Sequence, residues 1–211
     1  MSLYTPRHFA TADHLAIHRV LDEFGFATLI TTGAAEEPIF SHVPILFEPG
    51  FGANGALIGH VAAANPHAAA LTSGKSFLLF QGPSAYVSPN WYSQPAASVP
   101  TWNYVAVHAH GPLERIDAAA DKRAIVDALS ARHESAFPRP WTSSKMDDQM
   151  LQKLLTAIVG FRMNVERFDA KFKLTQNRSS SDRAGVIAGL EARGSAPERL
   201  LASWMRDYAG E

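Results

Sequence analysis

Val99-Pro100-Thr101-Trp102-Asn103-Tyr104-Val105-Ala106-Val107-His108 decides how this chain is read. Side chains alternate across a strand, so Trp102, Tyr104 and Ala106 share one face while Asn103, Val105 and Val107 share the other. Such a strand suits an aromatic β core. It also suits a sheet against which a flat molecule is held, and the residues alone leave both readings open. Working outward, Phe26 to Thr32 is β-rich and closed by Gly33. Glu37 to Phe47 reads as a second strand, with Pro44 marking an edge or bulge. Pro49 to Gly55 is a hairpin loop, followed by strands at Ala56 to Val61 and Ser76 to Gln81. Asn65-Pro66 opens a helical turn that runs to Leu71. Thr101 to Ile116 is the longest strand, with a break expected at Gly111-Pro112. Gly160 to Phe172 reads as one further half-buried strand, because Phe161, Met163 and Val165 alternate with Arg162, Asn164 and Glu166.

Helical spacing frames these strands. Ile17, Val20, Leu21 and Phe24 form one apolar face that ends at Gly25. Ala119 to His133 and Asp147 to Ala157 are helical, separated by the break Phe137-Pro138-Arg139-Pro140-Trp141. The end of the chain is a helical hairpin. Ser181 to Ala192 stops at Gly194, and Ser195-x-x-Glu198 is a capping box for the last helix. Short strands with interspersed helices imply a mainly β, α+β fold: a β-barrel decorated by helices. We expect one domain over 1–211, with 181–211 as a C-terminal helical appendage. A doubly wound sheet needs strict alternation of strands and helices, which is absent. No Gly-x-Gly-x-x-Gly, Walker or Gly-x-Ser-x-Gly sequence occurs.

Composition narrows the function. With 211 residues, 46% of them hydrophobic, and a net charge of −1, the chain has no overall field that drives it onto nucleic acid or acidic membrane. It has no cysteine, which removes disulfides, thiolate metal sites and cysteine nucleophiles. No apolar run approaches the roughly 18 residues needed to cross a bilayer. No apolar h-region follows Arg7 and His8, so a cytoplasmic location is expected. His108 and His110 share a strand face, and His14 and His18 share a helix face, but neither pair has a third ligand at motif spacing, so no metal site is expected. In the C-terminal hairpin, Arg178, Arg183, Arg193, Arg199 and Arg206 are balanced by Asp182, Glu191, Glu198, Asp207 and Glu211. The connection resembles a helix-turn-helix, yet this balance argues against direct DNA binding.

Several motifs carry a family resemblance. They are Tyr4-Thr5-Pro6-Arg7-His8-Phe9, Ser41-His42-Val43-Pro44, His60-Val61-Ala62-Ala63-Ala64-Asn65-Pro66, Gly82 to Pro89, Val99 to Tyr104 with Val107-His108, and Lys173-Leu174-Thr175-Gln176-Asn177-Arg178. In this order they resemble the PaiB family of FMN-binding split-barrel proteins, described as negative transcriptional regulators and similar in fold to pyridoxamine phosphate oxidases. The resemblance implies FMN held at a homodimer interface. The alternative is a flavin-dependent oxidoreductase acting on a small substrate, and whether the chain is an enzyme stays open.

A flavin needs donors for its phosphate and a flat, partly apolar slot for its ring. The resemblance places Ser41, His42 and Val43 at the ring edge, and His60 and Asn65 at the phosphate. Trp102 then walls the ring, Asn103 bonds the ring or ribityl chain, and Ser88 arrives from a second subunit. The family often carries a basic residue where this chain has Ala62-Ala63-Ala64, which implies that Lys173 and Arg178, with Gln176, fold back to the phosphate.

Overall fold

The structure is a computed structural model that describes residues 3–32 and 37–208. The closing role expected of Gly33 lies outside the described residues. The strands are β1 (Phe26–Thr32), β2 (Ile39–Pro44), β3 (Leu46–Glu48), β4 (Ala56–Ala62), β5 (Lys75–Val87), β6 (Thr101–Gly111), β7 (Leu113–Ile116), β8 (Ile158–Asn164) and β9 (Arg167–Lys173). The helices are α1 (His14–Glu23), α2 (His67–Ala70), α3 (Ala119–Glu134), α4 (Asp148–Thr156), α5 (Ser180–Arg193) and α6 (Ala196–Asp207). Hydrogen bonding orders β2-β1-β5-β6-β9 in one sheet and β3-β4-β8-β7 in another. The pairings of β1 with β2 and β5, of β3 with β4, and of β8 with β4 and β7 are antiparallel.

The expected strand from Glu37 to Phe47 is two strands, because the chain leaves one sheet at Pro44 and enters the other at Leu46. The expected strand from Gly160 to Phe172 likewise divides at Val165-Glu166 into β8 and β9, which lie in different sheets. Gly111-Pro112 breaks the long strand as expected. The strand expected to end at Gln81 instead continues through Gly82 and Pro83 to Val87. Its buried side chains are Ser76, Leu78 and Phe80 before Gln81-Gly82, and Pro83, Ala85 and Val87 after it. The three-residue step is a local phase slip of the kind a bulge produces.

The chain divides into two compact units, residues 1–23, 81–107 and 169–211 in the first, and 24–80 and 108–168 in the second. The core of the second unit includes the buried Leu29, Leu57, Leu78, Phe80, Phe161 and Met163. On the outer side of its four-stranded sheet, Ile125 and Leu129 of α3 cluster with Ile58, and Leu46 and Ile116 flank them. In the first unit α1 buries Ile17, Val20 and Leu21, while α5 and α6 bury Val186, Leu190, Leu201, Trp204 and Met205. Each such side chain contributes about 1.5–3 kcal/mol by leaving water. Phe172 of β9 packs edge-on against Trp204 and Tyr208, at 5.8 and 4.9 Å. The α5–α6 connection is closed as its sequence requires. Gly194 has φ +70°, and its N–H donates to Leu190 O at 3.1 Å. Ser195 and Glu198 then complete the capping box. The segment before α1 runs beside β9, where Ala10 bridges Lys171 and Thr11 N donates to Ala170 O at 3.4 Å.

Gly111 sits where β6 leaves its sheet, and a Cβ there would meet Asn164 O at 2.0 Å. That atom is backbone at the end of β8 and has nowhere to go. Gly111→Ala is expected to destabilise the protein by about 1–3 kcal/mol, the usual cost of overpacking, read as a lower urea midpoint at unchanged slope.

Candidate functional site

In the second unit the structure brings Ser41 and Asn65 together, around a residue the sequence reading did not single out. His67 is fully buried. Its Nδ1 lies 3.0 Å from Ser41 Oγ and its Nε2 lies 2.9 Å from Thr31 Oγ1. Thr31 Oγ1 is in turn 2.8 Å from Ser76 Oγ. Asn65 Nδ2 donates to Ser41 Oγ at 2.9 Å, and Asn65 Oδ1 accepts from the His67 N–H at 2.9 Å. Both ends of the Asn65 amide are thus spent on holding the turn before α2 against β2. Val43 is a core residue.

His42, one residue from Ser41, faces the other way. It is exposed, bonds Thr28 Oγ1 at 3.1 Å and stacks on Phe26 at 6.3 Å. Phe26 is 71% exposed and Phe40 58%, so this face of β1 and β2 is apolar and open. His60 does not join the Ser41–Asn65 cluster. It lines a cavity of about 260 Å³ with Pro44 and with Leu129, Ser130, His133 and Glu134 of α3, and its Nδ1 is buried without a protein partner.

In the first unit the structure gathers Asn103, Gln176 and Arg178 around Thr175. Asn103 points inward and donates to Thr175 Oγ1 at 2.7 Å. Gln176 is a local clamp: its Oε1 accepts from Leu174 N at 2.7 Å and its Nε2 donates to Phe172 O at 2.5 Å. Arg178 lies 4.9 Å over the Tyr92 ring. Burial raises the Tyr92 hydroxyl pKa, against the Arg178 charge and a hydrogen bond with Thr175. Thr175 itself has φ +68°, a strained conformation for a β-branched residue, which persists because its neighbours over-determine it.

Trp102 faces outward, is 56% exposed and meets Tyr86 edge-on at 6.4 Å. Lys173 donates to the Thr101 hydroxyl. Ser88 caps the turn at Pro89–Trp91 by accepting from Asn90 N at 3.2 Å. Beyond the residues singled out in the sequence, the structure adds His67 and Thr31 to the Ser41–Asn65 cluster of the second unit, and sets Thr175 and Lys171 beside the predicted residues of the first. Lys171 could have been found from the alternation Asp169, Lys171, Lys173. His67 and Thr31 gave no sequence signal, since a buried hydrogen-bonded imidazole and an ordinary strand residue share the same pattern. Among the described residues, no group of three or more histidine or acidic side chains is arranged to hold a metal ion.

The residues present fit a flavin. An open aromatic strand face and lysine ammonium groups on β9 match its flat ring and its phosphate.

Burial holds the pKa of both His67 and His60 below the ordinary histidine range, and burial also lowers that of His18. The fold therefore favours the neutral ring, and the unfolded chain takes up protons first as pH falls below about 6.5. Stability is full above that value and declines as pH drops toward the depressed folded values. The urea midpoint is expected to fall between about pH 7.5 and 5.5, with a shallower decline in His67→Gln. His67→Ala at pH 7.5 should cost about 2–4 kcal/mol, because Ser41 and Thr31 lose a buried partner.

Comparison with known proteins supplies the family and the fold. Residues 3–167 match the family model described as "Putative FMN-binding domain". The protease synthase and sporulation protein PAI 2 of Bacillus subtilis (strain 168) is 32% identical over 208 residues, covering 97% of each chain. Among solved structures, the conserved hypothetical protein Rv2991 from Mycobacterium tuberculosis superposes with a TM-score of 0.58 at 13% identity, covering 84% of this chain and 94% of that one. The FAD and heme binding protein from Mycobacterium smegmatis gives a TM-score of 0.57 at 18% identity, covering 78% and 73%. The fold is thus a split barrel decorated by helices. The chain belongs to the PaiB family of FMN-binding proteins, with FMN as its cofactor.

Proposed function

We propose that the protein is a flavin-linked regulator that holds FMN at the interface of a homodimer. The observation that carries this reading is Trp102: a large aromatic residue, more than half exposed near the start of β6 and flanked by the exposed Tyr86. An open aromatic surface of this kind wants a flat ligand or a second protein surface. In this reading Trp102 walls the ring and Lys173 meets the phosphate. Ser88 is a direct contact from the second copy, and His42, exposed beside Phe26 in the second unit, is a separate candidate contact on that unit's own open face. Ser41, Asn65, Asn103, Gln176 and Arg178 act one step back, by fixing the backbone turns that present the contacts. His60 belongs to the cavity beneath α3. When bound, FMN supplies reversible one- or two-electron redox chemistry.

A two-fold pair is the commonest way to cover open apolar surface such as Phe26 and Phe40. The relative from Bacillus subtilis is named a protease synthase and sporulation protein, and the link to sporulation supports a regulatory role. The C-terminal hairpin supports a route other than direct DNA contact. Arg193 pairs with Glu198 at 2.8 Å, Arg206 pairs with Glu191, and Arg183 donates to the carbonyls of Met205 and Tyr208. Cations engaged in this way are not free to neutralise phosphates. Among the described residues no helix is long and apolar enough to cross a membrane.

Trp102→Ala removes little packing, so stability should change by less than about 1 kcal/mol. FMN affinity, followed by quenching of flavin fluorescence, should fall about ten-fold, or roughly 1.4 kcal/mol. Unchanged affinity would remove Trp102 from the site. Light scattering should give twice the 22.9 kDa chain mass, and random duplex DNA should not be retained at about 150 mM salt. Bleaching of the bound flavin by a reduced pyridine nucleotide, with turnover, would replace the regulator by a flavin-dependent oxidoreductase.

A further inference from the structure

Lys171 lies near the C-terminal end of β9 and is only 8% exposed. A buried ammonium costs several kcal/mol unless it is paired. Its Nζ donates to Tyr4 O at 3.0 Å and stands over the ring faces of Tyr4 and Tyr104, at 5.4 and 5.3 Å. Lys173 follows two positions later on the same face, bonded to Thr101 and 6.0 Å from the Phe9 ring. Among the described residues neither ammonium has a carboxylate partner within ion-pair distance. Burial, reinforced by the Lys171 charge, lowers the Lys173 pKa. A purely structural role, in which Lys171 straps the N-terminal segment to β9, uses one of its three N–H donors and leaves its charge unbalanced. Two adjacent, uncompensated ammonium groups in an aromatic setting present a positive potential that an oxyanion would neutralise.

We propose that Lys171 and Lys173 form an oxyanion-binding site, walled by Tyr4 and Tyr104, that takes the phosphate or carboxylate of a planar ligand. Trp102 lies two residues from Tyr104 on the same outward face of β6. The anion has two sources: the phosphate of FMN, which rests on the flavin reading above, or the anionic group of a separate small molecule.

The probe is inorganic phosphate, titrated to about 50 mM at constant ionic strength into protein with isotope-labelled lysine, with and without saturating FMN. Saturable shifts of the Lys171 and Lys173 signals, with a dissociation constant in the millimolar range, are expected. If FMN supplies the anion, these shifts vanish in the FMN-loaded protein. Lys171→Gln then weakens FMN binding ten-fold or more and leaves riboflavin binding unchanged. If a separate ligand supplies it, the shifts persist in the loaded protein and Lys171→Gln leaves FMN affinity intact. Should Lys171→Gln lose its fold because the strap is cut, Lys173→Gln carries the same comparison. Shifts that are absent, or that rise linearly without saturating, with or without FMN, overturn the site and return both lysines to a structural role. A failure to bind FMN at all sinks the flavin reading but leaves the phosphate titration readable.

Discussion

A chain that leaves one sheet and enters another must still satisfy its backbone, and this structure depends on how it does so. Consecutive strands switch sheets at Pro44–Leu46, Gly111–Leu113 and Asn164–Arg167. An unpaired buried N–H or carbonyl costs about 1–3 kcal/mol, so an unsupported corner would offset the burial of a leucine. The supports are specific. Ile45 N donates to Gly25 O at 2.7 Å, Glu166 N to His110 O at 2.8 Å, Asn164 N to Pro112 O at 3.3 Å and Val165 N to Gly55 O at 3.2 Å. The side chain of Asn54 donates to the carbonyls of both Val165 and Glu166, at 3.3 and 2.9 Å. Pro112 has no N–H to lose, which suits it to its corner.

These corners explain what the sequence concealed. Period-two alternation reports which face of a strand is buried and says nothing about which sheet the strand joins. Phe161, Met163 and Val165 stay in phase up to the corner, so β8 and β9 read as one strand. β5 misled in the other direction. Pro83 reads as a stop signal, but the phase slip at Gln81-Gly82 lets the strand continue with a new buried set. Elements whose limits are set by local chemistry were legible almost to the residue: β1, α5 with its Gly194 stop, and α6 with its capping box.

The site was legible as a set of motifs and less so as a set of contacts. Asn103 shows why. Its place on the strand puts it on the face of Val105 and Val107, opposite Trp102, so a direct role for both beside one ring conflicts with the alternation itself. The structure resolves this by turning Asn103 inward to Thr175 and Trp102 outward. Ser41 and His42 divide in the same way, one into the His67 network and one onto the open face. Motif residues at alternating positions split between an exposed face, open to a ligand, and a buried face that holds a turn.

The polar burials differ in kind. Around His67 the donors and acceptors close on one another: a neutral imidazole between two hydroxyls, with an amide capping the turn. Such a network is complete without a ligand, and burial keeps it neutral. Around Thr175 the closure is almost as full, and strain at φ +68° is held in place by Asn103. The lysines of β9 are not closed. Their hydrogen bonds are few, their charges are unbalanced, and aromatic faces stand where carboxylates would be expected. Apolar burial and satisfied dipoles account for the first two arrangements as parts of a scaffold. They leave a net positive charge on β9 that the described chain does not neutralise, and that residue of unspent electrostatics is where a ligand has most to gain.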